Sequence, residues 1–540
     1  MKNNASAILP PGRFRTDGHK PFGKKAKHGR QILFKQAHQK QTRLLRYRFS
    51  TGLMHFLAEL EALEAEARKL EAPPEERRAM TRDAGAYASA FISALPDNKT
   101  YSPDTAQAAE ALFSLPIQEG PRDLESLLGA MDAGIHSTGI NPASGGHFGY
   151  VPGGGLFHAA LGDYLAAATN RYAGIFFANP GAVRIENILI RWMCRMVGYP
   201  ESALGNLASG GSIANLIAIT TAREHHGIKA AEIPNNVIYL TGQVHHCVQK
   251  ALRIAGMGEA VLRYIPMDER YRMDTRALQT AITADRAAGL RPFMVTASAG
   301  TTDTGAIDPL DVIADIALDE GLWYHIDAAY GGFFMLAGEL RPKFKGIERS
   351  DSIAIDPHKG LFLPYGLGAV LIRNLEAQFN AHFYTANYLQ DALDTDAEPS
   401  PADLSPELTK HFRGLRMWLP LQLIGLAPFR AAIREKVLLC NYAYARLRAI
   451  GFETGPPPEL SIAIFRYVPP KPEDPDTFNE RLVRYVQDDG RVFLSSTRIG
   501  GNYWIRLAVL SFRSHRKEVD LCLSVLEHGL GYLLATPTSE

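Results

Sequence analysis

His325-Ile326-Asp327-Ala328-Ala329-Tyr330-Gly331-Gly332 and, about thirty residues later, Asp356-Pro357-His358-Lys359-Gly360 carry the reading of this 540-residue chain. Each stretch follows a short apolar run with strand character, Leu322–His325 before the first and Ser352–Ile355 before the second. Neighbouring strands that end in this way place a carboxylate and a lysine at the carboxyl edge of an α/β sheet. Such folds open their ligand crevice there. Alone, the lysine reads as a solvated loop residue and the aspartate as a helix cap. Together they offer an amine able to form a Schiff base and a carboxylate able to keep a pyridine nitrogen protonated. Those are the two demands of pyridoxal 5'-phosphate (PLP).

The surrounding segments supply the rest of such a site. A phosphate needs backbone N–H groups and hydroxyls at a helix start, and Ser209-Gly210-Gly211-Ser212 precedes a helix-like run from Ile213 to Arg223. A strand over Asn236–Leu240 leads through Thr241-Gly242-Gln243-Val244 to His245-His246-Cys247, which puts an imidazole at a strand-to-helix corner where it can stack on a pyridine face. No Cys or His partners at zinc spacing follow, so a metal is discounted. Val295–Gly305 reads as a strand and a small polar loop whose threonines, Thr301 among them, can hydrogen-bond a carboxylate or the cofactor.

In order and spacing these pieces resemble the group II PLP-dependent decarboxylases of fold type I, which act on aromatic amino acids, glutamate, histidine or cysteine sulfinate. The resemblance runs from about Pro142 to Arg513 and includes Phe412-Arg413-Gly414-Leu415-Arg416-Met417-Trp418 and the late Arg506. It implies an α/β fold: a PLP-dependent transferase-like large domain with a mainly parallel sheet, an N-terminal helical segment and a smaller C-terminal α+β domain. It also implies Lys359 as the Schiff-base lysine, Asp327 as the partner of the pyridine nitrogen, Ala329 packed against the ring and His245 stacked on it. Gly211, Ser212 and His358 resemble phosphate contacts. Thr301 resembles the threonine near the ring, and Arg506 the arginine at the substrate carboxylate. The segment with Tyr150, Val151 and Pro152 resembles the substrate pocket in the form nearer the aromatic branch.

One departure bears on the product. Members of this family carry a tyrosine on a loop before the Phe-Arg segment, and it returns a proton to the substrate's α-carbon. Residues Gln390–Pro406 contain no tyrosine, and the family position falls near Pro401. The expected reaction is decarboxylation of an L-amino acid, expected to be aromatic, to the amine. The alternatives are an oxidative variant that yields an aldehyde and a catalytically impaired PLP-binding protein.

Composition agrees with a cored, multi-domain protein. The chain is 46% hydrophobic, its four cysteines form no CxxC pair, and no apolar run approaches the length of a membrane span. A cytoplasmic homodimer with a small-molecule amino-acid substrate is expected, with neither membrane nor nucleic acid as partner. The net charge of +1 hides an asymmetry: Met1–Ser50 holds 13 Lys/Arg and one acid, leaving 45 basic against 56 acidic residues beyond. Residues 1–50 are therefore expected to form a basic, disordered tail. A helical segment is expected over 51–135, the PLP-binding domain over 136–425 and the small domain over 426–540.

Overall fold

The computed structural model describes residues 24–384, 398–470 and 473–536. The chain divides into two units, Met1–Tyr87 and Ala88–Glu540. In the first, a helix spans Lys24–Ala67 and is followed by a 3-10 turn, Arg68–Leu70, and a second helix from Pro74 to Ala94, which runs on into the second unit. The basic stretch expected to be a disordered tail is thus helical from Lys24. No proline interrupts 24–72, and Lys, Arg, Gln, Leu and Ala dominate it, all good helix formers. Pro73-Pro74 precedes and starts the next helix, since a proline fits a first turn but removes a backbone hydrogen bond deeper in.

The second unit is built on a seven-stranded sheet. Its strands in chain order are β1 (Leu204–Ala208), β2 (Asn236–Thr241), β3 (Val261–Ile265), β4 (Arg291–Ser298), β5 (Trp323–Asp327), β6 (Ser352–Ile355) and β7 (Gly368–Ile372). Across the sheet they lie in the order β1-β7-β6-β5-β4-β2-β3. β3, β2, β4, β5 and β6 pair in parallel, while β7 runs antiparallel between β6 and β1. The strands read as nearly continuous apolar runs because helices cover both faces. β1 and β7 are fully buried, and Tyr324, Ile326, Ile353 and Ile355 belong to one large core with Leu189, Met193 and Leu371.

Four antiparallel strands form a smaller sheet: β8 (Glu453–Thr454), β9 (Ile462–Arg466), β10 (Ser495–Ile499) and β11 (Asn502–Ala508), in the order β8-β9-β11-β10. Helices Pro475–Asp489 and Arg516–Ala535 cover it around a separate core that includes Phe465, Phe478, Ile505 and Leu526. Phe148, from the segment before the large sheet, is buried in that second core. It anchors the Gly149–Pro152 segment to the small sheet.

Candidate active site

The carboxyl ends of β1, β2, β4, β5 and β6 meet around a cavity of about 370 Å³. Its wall includes Gly211, Ser212, His245, Thr301, Asp327, Ala329, His358 and Lys359, eight residues singled out in the sequence and contributed by five strand ends. Parallel strands explain the convergence, because every loop that leaves a carboxyl end opens on the same side.

Asp327 is the last residue of β5, and its Oδ1 accepts the N–H of Ala329 at 3.0 Å, which fixes the carboxylate. Lys359 lies in the short helix Pro357–Gly360 that follows β6. Its Nζ is 2.9 Å from Asp356 Oδ2. Burial alone would lower the pKa of this amine, but Asp356 and Asp327 outweigh burial and hold it above the usual lysine range. His245 sits at the turn before helix Cys247–Ile254, and its Nδ1 accepts the N–H of Cys247 at 3.3 Å. Burial keeps its pKa below the ordinary histidine value, with Asp327 opposing. The neutral ring therefore carries its proton on Nε2. Its outer side packs on His246, ring centroids 4.2 Å apart.

At the start of helix Gly211–His225 the first N–H groups have no intrahelical acceptor, the arrangement a phosphate requires. A Cβ on Gly211 would lie 3.1 Å from Asp356 Oδ2 and 3.3 Å from the Ala329 Cβ, so only glycine leaves the backbone bare there. His358 donates from Nδ1 to the Leu367 carbonyl at 2.7 Å, because a carbonyl can only accept. Two wall residues, Gln243 and Asp356, each keep a buried oxygen (Oε1 and Oδ1) with no partner among the described residues. A wall with unpartnered polar atoms, a bare helix start, an amine and a fixed carboxylate fits a polar, phosphorylated pyridine.

The substrate-side residues lie elsewhere. Arg506, on β11, is 3% exposed, and four of its N–H donors are taken by protein. Nη1 reaches the Gly149 carbonyl and Ser495 Oγ, both at 2.8 Å. Nε reaches the Asp303 carbonyl at 3.2 Å, and Nη2 the Thr302 carbonyl at 2.6 Å. Placed by resemblance at a substrate carboxylate, this arginine instead ties the Thr302–Asp303 loop to the Gly149 segment. Tyr150 is half-exposed with its ring 5.7 Å from that of Phe493, Val151 packs on the large core and Pro152 is buried. None of these three, nor Arg506, is in the cavity wall.

A buried relay supports the site and was not read from the sequence. Trp323 Nε1 donates to Ser352 Oγ, and His325 Nδ1 lies 2.8 Å from the same oxygen. His325 Nε2 lies 2.7 Å from Asn215 Oδ1, whose amide nitrogen donates to the Gly211 carbonyl and to Cys247 Sγ. Burial pushes His325 down to about 4, so the ring is neutral. The Asn215 oxygen can only accept, so the ring proton sits on Nε2 and Ser352 donates to Nδ1. Strand alternation puts His325 on the same face as Asp327. That pattern is the one signal in the sequence from which the relay was legible.

The pattern described as the pyridoxal-dependent decarboxylase conserved domain matches residues 107–468. The chain belongs to the pyridoxal-dependent decarboxylase family. The aromatic-L-amino-acid decarboxylase of Bacillus atrophaeus is 35% identical over 409 residues, covering 75% of this chain and 85% of that protein. The phenylacetaldehyde synthase of Arabidopsis thaliana is 27% identical over 428 residues, covering 77% and 87%. The crystal structure of Oryza sativa TDC with PLP and tryptamine shares the fold, with a TM-score of 0.81 at 24% identity over 86% of this chain and 99% of that one. This member of the decarboxylase family is a PLP-dependent carboxy-lyase of amino acids, and its cavity fits the cofactor.

The family's loop tyrosine has no counterpart at its expected place. Residues 385–397, including Tyr388, lie outside the described residues. The described part of the loop holds Pro401, which is buried. Its carbonyl accepts Asn206 Nδ2 at 2.8 Å, and the next N–H donates to the Gly174 carbonyl at 2.9 Å. That position is packed against β1 and is absent from the cavity wall.

Proposed function

We propose that this enzyme decarboxylates an aromatic L-amino acid to its amine, with Lys359 as the cofactor's anchor. The observation that carries the assignment is the meeting of Lys359, Asp327 and His245 around one cavity that opens on a bare helix start. The Phe148-Gly149-Tyr150-Val151-Pro152 form and the named activity of the Bacillus relative support an aromatic substrate.

When bound, PLP supplies an aldehyde for an imine and a ring that accepts the electron pair left by departing carbon dioxide. Lys359 would hold the aldehyde. Asp327, fixed by the Ala329 N–H, would keep a proton on the ring nitrogen. His245 and Ala329 would hold the ring's two faces, and Gly211, Ser212 and His358 would receive the phosphate. Thr301, 3% exposed in the wall, offers a hydroxyl to the ring or the substrate carboxylate. Arg506 keeps the Thr302 loop and the Tyr150 segment in register and so shapes the substrate side from behind.

A second reading is oxidative decarboxylation to an aldehyde. The Gln390–Pro406 loop without tyrosine favours it, as does similarity to a protein named phenylacetaldehyde synthase. Both readings release carbon dioxide, and only the second consumes oxygen and frees ammonia.

Exposed Phe157, Leu161, Tyr164 and Phe177 support a homodimer, since a monomer seldom leaves such an apolar set in water. Four buried, unpaired cysteines support a reducing, cytoplasmic setting. A panel of L-amino acids assayed for carbon dioxide tests the substrate class. Turnover confined to acidic side chains would overturn it.

A further inference from the structure

The amino ends of β5 and β6, opposite the cofactor cavity, border a second cavity of about 430 Å³, the size of a small-molecule site. Trp323 opens β5, Asp351 precedes β6 and Arg373 follows the antiparallel β7, so all three come to this edge. The helices Gly211–His225 and Leu310–Asp319 end there too, bringing His225 and Leu318. Arg373 is exposed and has no carboxylate partner among the described residues; its Nη1 donates to the Glu348 carbonyl at 2.8 Å. Arg349, the other guanidinium in the wall, is held by Asp311 and Asp315 at 3.1 and 2.7 Å. Asp351 Oδ2 accepts the Tyr324 N–H at 2.7 Å, which fixes the carboxylate, and Oδ1 has no partner among the described residues. Burial raises the pKa of Asp351, and the Tyr324 N–H, His225 and Arg373 oppose it. The indole of Trp323 is held by its Nε1 bond to Ser352 Oγ and lies against the His225 ring, centroids 5.3 Å apart. With Leu322 and Leu318, the latter 75% exposed, it gives an apolar surface.

A guanidinium and a carboxylate that share a cavity without pairing select a ligand that carries both charges. A phosphate would add negative charge near Asp351, and a simple amine would add a cation near Arg373. A carboxylate suits the planar fork of Arg373. An ammonium suits Asp351, together with the partial negative charge at two helix carboxyl ends. The surface of Trp323, Leu318 and Leu322 covers an apolar remainder. We infer that this cavity binds a free α-amino acid with an apolar side chain, its carboxylate on Arg373 and its ammonium on Asp351. The site lies apart from the cofactor cavity and uses neither Lys359 nor PLP.

Equilibrium dialysis of labelled L-leucine against the PLP-loaded enzyme tests this. Wild type is expected to show saturable binding that leaves the PLP absorbance unchanged. Arg373→Ala is expected to bind leucine about tenfold more weakly, while its carbon dioxide release from aromatic L-amino acids stays within about twofold of wild type. Asp351→Asn keeps an oxygen for the Tyr324 N–H. It is expected to erase the wild-type preference for leucine over isocaproate, the same molecule without its amine. No saturable binding in wild type, undiminished binding in Arg373→Ala, or isocaproate bound by wild type as tightly as leucine would each overturn the inference. Wild type that binds leucine as expected but releases no carbon dioxide from aromatic amino acids would overturn the decarboxylase reading instead.

Discussion

At the residue scale, the geometry separates side chains that face the chemistry from those that hold the frame. Lys359→Ala removes the one lysine amine among the described residues of the cavity wall, so PLP added to this variant should give no imine absorbance while the fold melts normally. Arg506 presents the opposite case. A direct clamp on substrate would show itself in KM. A strut with four protein acceptors should show itself in stability and kcat. Arg506→Lys keeps the charge but loses the fork, so several buried carbonyls lose their donor. We predict a loss of about 2–4 kcal/mol in denaturant unfolding and a lower kcat, with KM changed less than threefold. A large rise in KM alone would restore the clamp.

Two buried histidines make stability depend on pH. His147 and His325 are both pushed down to about 4 by burial. The folded state leaves them neutral while the unfolded chain protonates them from about 6.5 downward. Stability tied to each is therefore intact above 6.5 and lost as pH falls towards 4, by at most about 3 kcal/mol per group. Asp308, raised to about 6 by burial, acts in the opposite sense over a narrower span, so the histidines win. Melting curves should shift down steadily between pH 6.5 and 4. His325→Gln should flatten that slope.

At the scale of elements, the helix Gly211–His225 does the most for the site, and its position depends on the relay through Asn215 and His325. Gly211→Val puts methyl groups against Asp356 and Ala329. PLP retention on dialysis should fall at least tenfold while the circular dichroism stays the same. Four of the strands that carry the site were legible in the sequence within a few residues, because apolar runs ending in polar loops are what a buried parallel sheet requires, whereas Leu204–Ala208 was not read as a strand. Ser352–Ile355 is read and observed identically, and Asn236–Leu240 is one residue shorter than the observed strand Asn236–Thr241. Arg506 was placed by resemblance at the substrate carboxylate, and its strut contacts were not legible, since three of its four acceptors are main-chain carbonyls up to 357 residues away along the chain. The Asp356–Lys359 pair sat inside a quoted motif. Their contact was invisible because i, i+3 spacing alone does not tell a contact from a coincidence.

At the scale of the whole molecule, the first unit has no buried side chain among its described residues. The described part of the Lys24–Ala67 helix mixes charged residues with exposed apolar ones such as Leu53, Phe56 and Leu60, and the expectation of a tail rested on net charge, which argues against a core and not against a helix. Removing residues 1–50 should leave the melting temperature and carbon dioxide release of the PLP-loaded enzyme within twofold of the full chain. Among the described residues no helix is long and apolar enough to cross a membrane. Sedimentation should report a dimer.

The most direct test of the central claim follows carbon dioxide, oxygen and ammonia together, in closed vessels, for the PLP-loaded protein given aromatic L-amino acids. The account predicts carbon dioxide matched by amine, with neither oxygen uptake nor ammonia. Stoichiometric oxygen uptake with ammonia and aldehyde would contradict it.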